Sequence, residues 1–157
     1  MAVPNFRTML PSLLDRLIDP EAEADLTRGY TLRQMTDAVR RDLEDLLNTR
    51  RTTLDVPVEF VATNESVVVY GLPDLAWIEA HTPEDRSQIG TLIERVIVRF
   101  EPRLRDVRVT VAEDHLDDYN IRFQVYGRLA IDGSPEVVFE SQLELTSGRT
   151  SLWQPGG

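Results

Sequence analysis

Near residue 100 the hydrophobic period of this chain changes, and few folds can accommodate the change. Up to Phe100 the apolar residues Ile89, Leu92, Ile93, Val96, Ile97 and Phe100 recur every three or four positions, as on one helix face. Thr82 supplies an N-cap, Pro83 suits the first helical position and Asp85 completes a capping box. Val98 falls on the opposite side, which predicts cover on two faces. Pro102 pushes Glu101 out of helical geometry and ends the helix. From Asp106 the period is two: "VRVTV", "YNIRFQVYGRLAI" and "EVVFESQLEL" alternate, with Asp132-Gly133 as a hairpin turn and "RTSLW" as a fourth strand. Helices first and strands afterwards predict an α+β fold, with N-terminal helices packed on one face of a C-terminal antiparallel sheet of three to four strands. A chain of 157 residues fits one domain, 1–157, with a loosely ordered start over about residues 1–10.

Two further helices precede that point. In "PSLLDRLID" (11–19), Ser12 and Asp15 form a capping box, and Leu13, Leu14, Leu17 and Ile18 make one narrow apolar face before Pro20. Two turns are marginal alone, so this face must pack on the domain or on a partner. After an acidic connection, Thr31 and Gln34 open a longer helix. Its face is Leu32, Met35, Val39, Leu43, Leu46 and Leu47, and it stops at Asn48. The stretch "LDVPVEFVATNESVVVYGLPDLAWIEAH" stays ambiguous: Val67–Tyr70 suits a strand, while Gly71 suits the close of a short helix.

The net charge is -10, and all 17 basic residues are arginine. Such a surface repels nucleic acid and anionic lipid. The chain has no cysteine, which excludes disulfides, zinc–thiolate sites and cysteine nucleophiles. No apolar run approaches the roughly 20 residues of a membrane span, and "MAVPNFRTMLPSLLDRL" lacks the pattern of a secretory signal, so a cytoplasmic location is expected. His81 and His115 both fall in polar loops, and no G-x-S-x-G, P-loop or dinucleotide glycine pattern occurs. "AEDHLDDYN" lacks the glycine and terminal glutamate of a calcium loop. Carboxylate pairs spaced for glycoside hydrolysis arise by chance among 27 acidic residues. No catalytic, metal or cofactor residues emerge from these patterns.

Four stretches in order, "PSLLDRL" (11–17), "DLEDLLNTRR" (42–51), "YGLPDL" (70–75) and "FEPRL" (100–104), with "GRLAI" and "LELTSGR" in the strand-rich end, carry a family resemblance. The chain resembles the TssE family of type VI secretion baseplate subunits. That family is similar to a wedge protein of contractile phage baseplates, whose family also bears a lysozyme-like label. The resemblance implies a cytoplasmic assembly protein without enzymatic activity or cofactor. It would sit with TssF and TssG in the wedge and seed a sheath of TssB and TssC, whose subunits join by exchanging β-strands. Neither a nucleic-acid partner nor membrane insertion is implied, and the rival class is a peptidoglycan hydrolase.

In that family the triplet here formed by Glu101, Pro102 and Arg103 is tied to sheath assembly. A carboxylate at a helix C-terminus faces the negative end of the macrodipole, an unfavourable contact of roughly 0.3–1 kcal/mol. Two readings remain open. Glu101 and Arg103 could be solvated charges presented to a partner, or Arg103 could pair internally and pin the helix to the sheet. Leu13, Leu14 and Leu17 are expected to dock a baseplate partner.

Overall fold

The computed structural model describes residues 17, 30–51, 56–64, 66–75, 82–112, 120–131, 133 and 135–155. Expectations for Leu13, Leu14, both histidines, Asp132 and the acidic 113–118 run lie outside the described residues. In order come α1 (Leu32–Asn48), a short α2 (Val61–Asn64), a 3₁₀ turn (Val67–Val69), α3 (Pro83–Phe100), then β1 (Leu104–Val111), β2 (Asn120–Leu129), β3 (Glu136–Glu144) and β4 (Arg149–Trp153). The strands pair antiparallel in the order β1-β2-β3-β4. This is the expected α+β arrangement, with the fourth strand present.

Both long helices begin as their caps dictate. Thr31 Oγ1 accepts from the Gln34 N–H while the Gln34 side chain accepts from the Thr31 N–H, and Thr82 and Asp85 repeat the arrangement. Each box satisfies two of the donors a helix start leaves free. The apolar faces then meet one side of the sheet. Met35, Val39, Leu43, Leu46 and Leu47 of α1 and Ile89, Ile93 and Ile97 of α3 share a core with Ile121, Phe123, Val125, Leu129, Phe139, Leu143 and Leu152. Full burial of one such side chain contributes about 1.5–3 kcal/mol, so this layer holds the fold together. The other sheet face is polar, where the Trp153 indole donates to Glu140 at 2.8 Å.

Two expectations change, and one left open is decided. Leu32 is exposed because it sits on the first turn of α1, ahead of the part that covers the sheet. Val98 is 58% exposed, so α3 is covered on one face only among the described residues. The ambiguous connection takes the second of its two alternatives, a short helical turn closed by glycine. Val67–Val69 make a 3₁₀ turn capped by Ser66, and Gly71 follows at φ +100. A Cβ at Gly71 would stand 2.3 Å from the Thr49 carbonyl oxygen, so only glycine fits. That close approach lets the Leu72 N–H reach Thr49 O at 2.9 Å and the Arg51 N–H reach Leu72 O at 2.8 Å, tying the connection to the end of α1.

Candidate functional site

The triplet occupies the single backbone turn between α3 and the sheet. Glu101 is the C-cap of α3, its N–H donating to Ile97 O at 2.8 Å. The Leu104 N–H returns to Glu101 O at 3.1 Å, and the Ala130 N–H takes Arg103 O at 2.8 Å, which opens the β1–β2 ladder. Pro102 stands exposed at the tip, where its missing N–H costs nothing. Any movement of this turn therefore shifts a helix end and a strand start together.

Of the two readings left open for the charges, the geometry gives the internal one. Glu101 is only 4% exposed. Its carboxylate accepts three N–H groups of Arg103: the backbone N–H at 3.1 Å, Nε at 2.7 Å and Nη2 at 2.5 Å. Nη2 also donates to Asp42 Oδ2 of α1 at 2.7 Å. One guanidinium thus links α1, the end of α3 and the start of β1. Planar, forked donors suit this task and an ammonium would not. Solvated charges in the isolated chain, as one reading had it, are not what the structure contains. The arginine held against the buried Glu101 carboxylate offsets the unfavourable helix dipole.

The electrostatics agree. Burial opposes the charge on Arg103 and is the largest single influence. The hydrogen bonds and charges of Glu101, then those of Asp42, outweigh it and raise the Arg103 pKa above the ordinary arginine value. Tyr70 lies edge-on to Phe100 with ring centroids 5.3 Å apart, and the Arg99 guanidinium stands 5.3 Å from the centroid of the same ring. Burial, then the charges of Asp42, Asp45 and Glu101, raise the Tyr70 pKa against the opposing pull of Arg103.

Around the turn lies an open depression of about 270 Å³, lined by Asp42, Asp45, Leu46, Tyr70, Phe100, Glu101, Pro102 and Arg103. Its carboxylates Asp42 and Glu101 are already engaged by arginine, and no group of three or more metal-ligating side chains occurs among the described residues. The depression can offer shape and residual negative charge to a protein surface. Asp42, Asp45 and Tyr70 are members that the sequence reading placed in its family stretches without giving them a role. Asp42 is 61 positions from Arg103, and nothing in the local pattern of α1 points to their contact. Leu17 is 76% exposed, with its apolar side chain uncovered.

A family model described as "Baseplate wedge protein gp25" matches residues 33–134, from the first turn of α1 to the β2–β3 connection. A solved structure described as "The baseplate complex from the type VI secretion system" contains a chain of similar fold. The TM-score is 0.56 at 21% identity, covering 72% of this chain and 95% of that one. No curated protein matches the sequence. No helix among the described residues is long and apolar enough to cross a membrane. With the matched segment spanning about two thirds of its length and containing the whole helix–turn–strand junction, this chain belongs to the baseplate wedge protein gp25 family.

Proposed function

We propose that this chain is the TssE-type subunit of a type VI secretion baseplate, a cytoplasmic assembly protein that joins the wedge beside TssF and TssG and starts polymerisation of the TssB–TssC sheath. The observation that carries this reading is the match of the wedge family model across the junction built by Glu101, Pro102 and Arg103. The similarly folded chain of a type VI secretion baseplate complex supports the type VI setting. The triplet's role is then one of positioning. Arg103 fixes the turn by holding Glu101 and Asp42, so that exposed Pro102 and the carboxylate of Asp45 meet a partner in a constant geometry. Fixed charges of this kind select partner and register more than they add raw affinity. Leu13, Leu14 and Leu17 provide a second, apolar contact for a baseplate partner.

Affinity capture of the tagged chain from its own cells tests the proposal. TssF and TssG should be recovered in stoichiometric amounts, and capture that returns neither would refute it. On the same reading the purified chain leaves peptidoglycan intact. Turbidity loss that disappears when one Glu or Asp is changed to its amide would move the protein to the hydrolase class.

A further inference from the structure

The stretch between α1 and α3 turns its apolar side chains the wrong way for a domain core. Val58, Phe60, Val61, Val67 and Val68 are between 45% and 86% exposed, and none belongs to the core. They sit on α2, on the turn before it and on the 3₁₀ turn, and these pieces pack on each other as one knob. Single exposed apolar residues are ordinary, whereas a group gathered on one projection marks a contact surface.

The exposure is built into the backbone. Asn64 Nδ2 donates to Pro57 O, and the Asn64 N–H to Phe60 O, both at 2.8 Å. Ser66 Oγ donates to Thr63 O at 2.7 Å and accepts the Val68 N–H at 3.3 Å. Polar side chains that bond the backbone in this way hold a turn without apolar packing. Within the 3₁₀ turn only Val69, 2% exposed, points inward, and it roots the knob in the core. Tyr70 follows at once, lies edge-on to Phe100 and lines the depression at the junction. The knob is therefore fixed relative to the turn of Glu101, Pro102 and Arg103.

Charge narrows what can cover it. From Thr52 to Asp85 the chain has no arginine or lysine, while Asp55, Glu59 and Glu65 surround Phe60 in sequence. Glu59 is exposed and has no cationic partner among the described residues. Anionic lipid and nucleic acid are repelled by such a rim, and a second copy of a chain with net charge -10 is repelled as well. A convex apolar tip with an anionic rim is complementary to a concave apolar surface with a cationic rim.

We propose that the knob from Val58 to Val68 inserts into an apolar groove of another protein whose rim carries arginine or lysine. The valines and Phe60 fill the groove, and Glu59 meets the rim and sets the orientation. This deepens the assembly reading and depends on it for the existence of a protein partner. The test below reads the chemistry of the contacted segment and not which protein carries it, so failure here is distinct from failure to capture TssF and TssG.

The photoreactive residue p-benzoylphenylalanine replaces Phe60 in the full chain in its own cells, and in a control replaces Ser151 on the outer sheet face. After irradiation the crosslinked peptides are mapped by mass spectrometry. Position 60 should give one main adduct, on a segment of another protein rich in aliphatic side chains and flanked by arginine or lysine, and position 151 should not reach that segment. Adding Val58→Ser with Val67→Ser should lower the yield of this adduct by at least about tenfold, since two exposed valines lose their burial in the groove. Glu59→Arg should lower it by at least about threefold through repulsion at the rim. The purified double-serine variant should melt within about 2 °C of the parent, because neither valine packs in the isolated chain. No adduct at position 60, an adduct on a second copy or on an acidic segment, a yield unchanged by the serine pair, a yield raised by Glu59→Arg, or a clear loss of melting temperature would each overturn the proposal.

Discussion

Arg103→Ala is the change that most directly probes the junction. It removes two of the three N–H groups that the nearly buried Glu101 carboxylate accepts, together with the link from that carboxylate to α1 through Asp42. Removing one partner of a buried pair costs about 3–5 kcal/mol, because the remaining charge is stranded. The Arg103 side chain is 27% exposed, so water partly replaces it, and a loss of about 2–4 kcal/mol is expected. For a domain of this size each kcal/mol lowers the melting temperature by about 2–4 °C, which puts the shift at roughly 5–15 °C. Urea denaturation followed by circular dichroism gives the free energy, and thermal scans give the shift. Reversing the pair, Glu101→Arg with Arg103→Glu, should fail to restore stability. It would set a carboxylate at 103 against Asp42, and like charges at that distance repel. A loss below about half a kcal/mol for Arg103→Ala, or full rescue by the reversal, would refute the three-way clamp.

Three other outcomes are expected. Ile93→Ala, which empties a fully buried position between α3 and the sheet, should cost about 2–5 kcal/mol in chemical denaturation. The raised Tyr70 pKa means that its contribution is fully present below the ordinary tyrosine value of 10.0 and is lost as pH rises through the higher folded value; Tyr70→Phe should flatten this alkaline decline in denaturation series above pH 10. Deleting residues 1–18 should leave the melting transition of the domain in place and abolish capture of wedge subunits; a chain that unfolds on truncation would assign Leu13, Leu14 and Leu17 to the core.

The layers were legible because local signals agree with the global fold. Two capping boxes, a 3.6 period before Phe100 and a period of two after Asp106 fix which faces turn inward. The triplet was visible as a broken rule, a carboxylate at a helix C-terminus. Its resolution was not, because Asp42 reaches Arg103 only through the packing of α1 beside the junction. The sheet edges were equally hidden. Asn48 reads as a helix stop, and its second task, pairing with Thr150, depends on a contact 102 positions away. Glu94 reads as a solvated helix residue, while its carboxylate accepts the Val109 N–H of β1. At Val67–Tyr70 the sequence left strand and short helix open because valine runs favour strands in general, and only the glycine at 71 and the Thr49 contact decide for the 3₁₀ turn.

The most direct test of an assembly role is a count of fluorescent sheaths in cells that lack this chain and carry it back on a plasmid. Loss of the chain should abolish sheaths, and the wild-type copy should restore them. An Arg103 variant should restore them only to the extent that its junction stays folded at the growth temperature. Sheaths of normal number and length in the deletion strain would contradict a role in starting the sheath.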